Sequence, residues 1–236
     1  MKLYFFEAGI LKTQKQFLTA GVDVGKPFEV PVPFLLIDHP KGKILFDTGL
    51  AYETIHNKLE HWGEAIVSVY DPVMTEEQWC VNVIQNVGCV PEDIDLVILS
   101  HLHLDHAGCI GQFPNAKYLV QRDELHYAYV PDSYMKGAYI RKDFDKEVDW
   151  VILEGWQDDR YDLFGDDSII IYFTPGHSPG HQSILVNLPN SGPMFFAADS
   201  CYTQENLDQG ILPGLMWSAY ETEKTVNRIK NFIQDL

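Results

Sequence analysis

Three histidines and one aspartate stand within six residues of one another, in the pattern His-x-His-x-Asp-His. They are His101, His103, Asp105 and His106, and they directly follow an apolar run over residues 96–99 that predicts a strand. His101 and His103 are two residues apart, so in an extended chain both imidazoles point to the same side. Such a cluster is costly to bury without a cation, and Zn²⁺ and similar metals prefer imidazole and carboxylate ligands. The spacing therefore predicts a metal site at the end of this strand.

Two later segments carry the same kinds of side chain. His177 closes the sequence Thr-Pro-Gly-His after an apolar run, in a turn whose glycine permits a close approach of the backbone. Asp199 follows the apolar residues of a strand that we expect at 194–198. An aspartate at a strand end is more often a turn former or a helix cap. Together with the histidine cluster, however, both residues are candidate ligands, because α/β proteins place their chemistry at strand ends.

The elements that must position these residues are short β-branched and aromatic runs bounded by turn residues. A polar turn, His39-Pro-Lys-Gly, joins two of these runs as a hairpin. Besides the strands already given, we expect strands at 34–37, 43–46, 117–121, 168–174 and 183–188. Alternation of such strands with a few helices predicts one α/β domain.

Two capping-box signatures mark helix starts. The first begins at Thr75 and predicts a helix to about Val87, which Gly88 is placed to end. The second begins at Ser218 and opens a helix to the end of the sequence. The side of that helix facing the core is predicted from helical spacing and comprises Thr222, Val226, Ile229, Ile233 and Leu236.

Composition excludes several classes of protein. The 236 residues are 46% apolar and 22% charged, which excludes a disordered or low-complexity chain. Seventeen basic residues against 34 acidic ones give a net charge of −17, so nucleic acids and anionic membranes are poor partners. The four cysteines show neither a Cys-x-x-Cys pair nor disulfide spacing, and the N-terminus lacks the apolar run of a signal peptide. We expect a soluble, cytoplasmic protein.

The motif, the later Thr-Pro-Gly-His, the strand-terminal Asp199 and an early strand end at Asp47 resemble the metallo-β-lactamase superfamily. The resemblance extends over nearly the whole chain. It implies an αββα sandwich with a two-metal site at one edge, and a single hydrolase domain over residues 1–236. More narrowly, segments 100–108, 174–183 and 199–202 are similar to the quorum-quenching N-acyl-homoserine lactonases.

The resemblance also implies two divalent metal ions, expected to be zinc. Carried over by position, the ligands of the first ion are His101, His103 and His177, those of the second are Asp105 and His106, and Asp199 bridges both.

Three residues receive further roles from the resemblance. Asp47 is similar to a carboxylate that orients a ligand histidine, although the residue types alone favour a turn former equally. Tyr202 matches a tyrosine that helps to hold the substrate carbonyl. Asp105 is placed to carry a proton from the nucleophile to the leaving group. His181 occupies a family position that is not a ligand.

The sequence departs from the family at its end. The family supplies a last histidine to the second metal from a strand after the final helix, whereas no histidine follows His181 in this sequence. We expect the chain to lack that last strand through truncation. Weak binding of the second ion, or a substitute ligand, are the alternatives.

The resemblance implies hydrolysis of the lactone ring of N-acyl-homoserine lactones, a small-molecule substrate, by a metal-bound hydroxide. A thioester hydrolase of the glyoxalase II kind shares the motif but grips glutathione with basic residues. Here Lys224, Arg228 and Lys230 lie on the last helix with the spacing of a solvated face. Persulfide dioxygenases bind one iron with similar histidines. A metal-binding homologue impaired in catalysis is the last alternative.

Overall fold

The computed structural model describes residues 1–234, which cluster into two compact units. The first unit comprises Met1–Thr13, Pro27–Val120 and Ala128–Ile152. The second comprises Gln14–Lys26, Gln121–Tyr127 and the described chain from Leu153 onwards. That the whole chain forms one hydrolase domain stays a prediction.

The α-helices in the described part of the chain are mostly short. Their bounds are α1 (Thr54–Trp62), α2 (Glu64–Val67), α3 (Cys80–Val83), α4 (Arg122–Tyr129), α5 (Arg141–Phe144), α6 (Gln204–Gln209) and α7 (Ala219–Gln234). None of these described helices combines the length and the apolar character that crossing a membrane requires.

The first unit is built on a seven-stranded sheet with the order β4-β1-β2-β3-β5-β6-β7. The strands are β1 (Lys2–Gln14), β2 (Pro27–His39), β3 (Gly42–Phe46), β4 (Asp71–Val73), β5 (Ile94–Ile98), β6 (Lys117–Gln121) and β7 (Asp149–Leu153). The predicted hairpin is confirmed, since β2 and β3 are antiparallel and His39 pairs with Gly42. Strand β5 runs parallel to β3 and to β6. The carboxyl ends of these three strands therefore meet at one edge, where Asp47 and the histidine motif begin.

The helix predicted from Thr75 to Val87 is wrong as one continuous element. The capping box is present, but it closes a 3-10 turn over Glu76–Gln78. Trp79 then takes an extended conformation, with ψ 134°, and breaks the helix before α3 begins. A second 3-10 turn comes after α3, and Gly88 ends it in the left-handed conformation, with φ 74°, as the sequence predicts.

The second unit contains a four-stranded antiparallel sheet with the order β11-β10-β9-β8. Its strands are β8 (Arg160–Asp162), β9 (Ile169–Phe173), β10 (Gln182–Leu188) and β11 (Gly192–Phe196). The strand predicted at 194–198 ends earlier, because Ala198 begins a 3-10 turn over Ala198–Ser200. That turn carries Asp199 at the end of the sheet.

Helix α7 packs on this sheet through part of its predicted face and through Phe232, which the prediction did not include. Thr222, Val226 and Ile229 are buried, and the Phe232 ring lies 5.0 Å from Tyr172 and 5.4 Å from Phe195. The prediction that Ile233 lies in the core is wrong, since 42% of this residue is exposed. The last residue of the predicted stripe, Leu236, lies outside the described residues.

Candidate metal centre

The histidine motif folds into a tight buried cluster in the first unit. His101, His103 and His106 are 0%, 2% and 4% exposed. The His101 ring lies 4.4 Å from the His103 ring and 4.1 Å from the His106 ring, measured between centroids. Asp105 is more open, and one of its carboxylate oxygens lies 3.7 Å from His106 Nε2. Three buried imidazoles beside a carboxylate form a donor set that suits a divalent cation.

A close backbone contact fixes the loop that carries this cluster. Gly108 donates its N–H to the carbonyl of Gly49 at 2.9 Å. A Cβ atom at Gly108 would stand 2.1 Å from the nitrogen of Ala51 and 2.2 Å from the carbonyl carbon of Leu50. A glycine is therefore required where the motif ends, because this contact leaves no room for a side chain.

Asp47 contacts the cluster from the end of β3. It is 3% exposed and adopts φ +62°, a conformation that aspartate tolerates better than most residues. Its Oδ1 accepts from the Ser100 N–H at 2.7 Å. Its Oδ2 accepts from the Ser100 hydroxyl at 2.8 Å and lies 2.9 Å from His106 Nδ1. The structure therefore places this carboxylate against His106, one of the predicted ligand histidines, and the contact engages His106 Nδ1.

Sequence reasoning missed two neighbours of the cluster. The Ser100 hydroxyl lies 2.9 Å from His101 Nδ1 as well as against Asp47, and its place directly before the motif was the available signal. The Tyr139 ring lies 4.6 Å from the His103 ring at an interplanar angle of 73°. No spacing in the sequence links Tyr139 to the motif.

In the second unit, His177 stands in a turn whose glycine is sterically required. Gly176 has φ +144°, and a Cβ atom there would lie 2.5 Å from the Cα of Thr222 on α7. His177 is buried, and its Nδ1 lies 2.9 Å from the Tyr202 hydroxyl and 3.3 Å from the Leu215 carbonyl oxygen. Its Nε2 lies 3.3 Å from Asp199 Oδ2. Within this unit, three predicted site residues thus come together: His177, Asp199 and Tyr202.

His181 supports Asp199 rather than offering a ligand atom. Its Nδ1 lies 2.9 Å from the Thr174 hydroxyl and 3.1 Å from the Ser200 hydroxyl, and its Nε2 accepts from the Asp199 N–H at 3.1 Å. Both ring nitrogens are therefore occupied by protein groups. Ala198 has φ +45°, a strained conformation for a residue with a side chain, and this turn directs Asp199 out of the strand.

Each unit offers donor atoms that suit a divalent metal ion. The first unit contributes the imidazole nitrogens of His101, His103 and His106, and the second contributes those of His177 and the carboxylate of Asp199. Imidazole nitrogens with a carboxylate oxygen fit the coordination chemistry of a borderline divalent metal.

Comparisons with known proteins point in one direction. The family model of the metallo-beta-lactamase superfamily matches residues 28–232. The N-acyl homoserine lactonase AttM of Rhizobium radiobacter is 44% identical over 235 residues, which cover 99% of this chain and 89% of that protein. The N-acyl homoserine lactonase AiiA of Bacillus thuringiensis subsp. kurstaki is 32% identical over 229 residues, which cover 97% and 86%.

Solved structures agree with these relatives. The structure of an N-acyl homoserine lactone hydrolase, with the product N-hexanoyl-L-homoserine bound at the catalytic metal centre, is similar to this chain with a TM-score of 0.88. The two sequences are 30% identical, and the match covers 99% of this chain and 89% of the other.

Fold and donor set together define a metal-dependent hydrolase. The chain belongs to the metallo-β-lactamase superfamily, and within it to the group of the N-acyl homoserine lactonases. The predicted family and the predicted α/β fold class are confirmed.

Proposed function

We propose that this protein opens the lactone ring of N-acyl homoserine lactones by metal-dependent hydrolysis. The observation that carries the proposal is the 44% identity, over 99% of the chain, to a protein named N-acyl homoserine lactonase. The buried histidine cluster and its carboxylate partner agree with this activity, since divalent ions held there would lower the pKa of a bound water and make hydroxide available near neutral pH.

In this proposal six side chains would hold two zinc ions. They are His101, His103, Asp105, His106, His177 and Asp199. The hydrogen bonds within each unit support the choice, because protein groups occupy Nδ1 of three of these histidines and leave Nε2 for a metal.

Two bound divalent ions would supply hydroxide near neutral pH and polarise the ester carbonyl of the lactone. Asp105 is the most exposed carboxylate among the proposed ligands, at 19% of its side chain, which suits a group that meets solvent and substrate. It takes the proton of the attacking hydroxide and returns it to the ring oxygen as the ring C–O bond breaks. The lactone thereby becomes a carboxylate and an alcohol, and the proton released to solvent is the one that water lost on forming the hydroxide.

Tyr202 binds the carbonyl oxygen of the substrate. A phenol can accept a hydrogen bond while it donates its own O–H. Here the Tyr202 oxygen lies 2.9 Å from His177 Nδ1, so the histidine N–H orients the phenol that donates to the developing oxyanion.

The glyoxalase II alternative receives less support from the basic residues of α7. Lys224 is paired with Glu221 at 3.0 Å, and Arg228 is paired with Asp159 at 2.6 Å. Each cation already has an acidic partner within its own unit, which reduces its availability to an anionic glutathione.

Proton release from purified protein tests the proposal, since ring opening at neutral pH releases one proton. The substrates are an N-acyl homoserine lactone and a glutathione thioester, each given to metal-loaded and chelator-stripped protein. We expect opening of the lactone that the chelator abolishes. His103→Ala should lower this activity by more than about 100-fold, whereas the exposed His56→Ala should retain it. Turnover of the thioester alone would contradict the proposal.

We further propose that the protein acts in the cytoplasm on a small molecule, without nucleic acid or membrane partners. Its net charge of −17 supports this, because such a field repels phosphate backbones and anionic lipid headgroups.

A further inference from the structure

The first unit contains a polar cavity of about 370 Å³ that none of the proposed metal ligands lines. Its charged and titratable lining groups lie in α1 and α5 or within two residues of these helices. They are Glu53, Glu60, His61, Lys142, Asp143 and Lys146. The hydrolysis proposed above uses none of them.

Among the lining groups, Asp143 has a buried carboxylate whose hydrogen bonding is incomplete. It is 4% exposed, and its Oδ1 lies 2.7 Å from Nε2 of His61. Its other oxygen, Oδ2, is buried and has no hydrogen-bond partner among the described residues. A buried carboxylate oxygen without a donor is unfavourable. A positively charged group in the cavity beside the Asp143 carboxylate would reduce this cost through its charge.

The charges around Asp143 agree with a cationic donor. Burial raises the pKa of the Asp143 carboxyl, and the nearby Glu53 carboxylate raises it further, while His61 and Lys146 act against the rise. The Asp143 carboxylate in turn raises the pKa of His61 through their hydrogen bond. An added positive charge beside Asp143 would therefore stabilise its ionised form.

The same cavity also offers positive charge for an anion. Lys142 and Lys146 line it together with the acidic groups. Both lysines are exposed, so their side chains can change rotamer to meet an anionic group. A lone metal cation fits less well, because the described side-chain sets that could hold a metal do not include His61 or Asp143. The lining thus complements a small molecule with both an ammonium and a carboxylate group.

We propose that this cavity binds a small zwitterion of the α-amino-acid class. Its ammonium group lies beside the Asp143 carboxylate, and its carboxylate lies towards Lys142 and Lys146. The site is distinct from the proposed metal centre and does not depend on the lactonase activity.

Calorimetric titration of the metal-loaded protein tests this site. The probes are glycine, L-serine and L-homoserine, with ethylammonium and acetate as fragments that carry only one of the two charges. We expect one amino acid per chain to bind, and each fragment to bind at least about tenfold more weakly. Equal affinity for ethylammonium, or no binding of any of the three amino acids, would overturn the proposal.

Variants locate the binding. Asp143→Asn should weaken it by at least about tenfold, whereas Asp145→Asn, an exposed aspartate two residues away that pairs with Arg141, should not change it. Because Asp143→Asn could disturb folding, the double variant of the exposed Lys142 and Lys146 to alanine provides a second test with the same expected loss. Binding that disappears in His103→Ala but persists in these variants would place the amino acid at the metal centre and overturn the proposal.

Discussion

At the residue scale, one carboxylate determines which ring nitrogen carries the N–H in two imidazoles. The Asp47 carboxylate accepts a hydrogen bond from His106, which places the N–H of His106 on Nδ1. The single hydroxyl proton of Ser100 is donated to Asp47, and the Ser100 oxygen therefore accepts from His101 Nδ1. Both histidines consequently present the lone pair of Nε2. Ser100 is in this way a positioning residue for a proposed metal ligand.

Replacing Ser100 by alanine should weaken metal binding without unfolding the protein. The variant removes the acceptor of His101 Nδ1–H, and losses of such supporting groups typically cost about 10- to 100-fold in metal affinity. Competition with a chromophoric chelator measures the affinity, and circular dichroism checks the fold. Ser68→Ala is the matched control, because the Ser68 hydroxyl donates only to the nearby carbonyl of Ala65 on the surface. An unchanged metal affinity in Ser100→Ala would show that Ser100 does not position His101.

At the element scale, strands were easier to predict than helices. Each predicted strand is present, because alternation and turn residues are local signals that a paired strand preserves. The helix expected from Thr75 failed because a capping box is satisfied by a single turn, so it does not determine whether the residues after that turn are helical. The ring of Trp79 packs 4.9 Å from Tyr52, and this tertiary contact accompanies the extended backbone that interrupts the helix.

The loop after the histidine motif yields a prediction at this scale. In Gly108→Ala the new methyl group would overlap the backbone at Leu50 and Ala51. The loop must shift, and we expect a loss of about 3 kcal/mol or more in the free energy of unfolding, measured by urea denaturation.

Gly137→Ala is the control for that substitution. A Cβ atom at Gly137 meets only Ile66, at 3.7 Å, and its backbone does not require a positive φ. This variant should be neutral or slightly more stable. Equal stability losses in both variants would mean that the close approach at Gly108 is not what constrains the loop.

At the scale of the whole molecule, the sequence predicts the candidate metal ligands better than it predicts the residues packed around them. The histidine motif is a local pattern, and the positions of His177 and Asp199 at strand ends made them candidates to which the family resemblance then gave ligand roles. Some of the groups that contact these residues, such as Tyr139 beside His103, are distant from them in sequence and follow no fixed spacing. His61 and Asp143, which are 82 positions apart, come together only in the folded chain. A cavity of this kind therefore has no signature that sequence reasoning could detect.

Metal removal should destabilise the folded protein as a whole. A ligand that binds the native state at 100 times its dissociation constant adds about 2.7 kcal/mol to the free energy of unfolding, which for a chain of this size corresponds to about 5 °C or more in Tm. The proposed ligands extend from residue 101 to residue 199, so the unfolded chain cannot present them together. Differential scanning calorimetry of zinc-loaded and chelator-treated protein measures the shift, and His103→Ala should reduce it. Because this readout does not involve turnover, a Tm that is the same with and without metal would contradict the metal centre even if a hydrolytic activity were found.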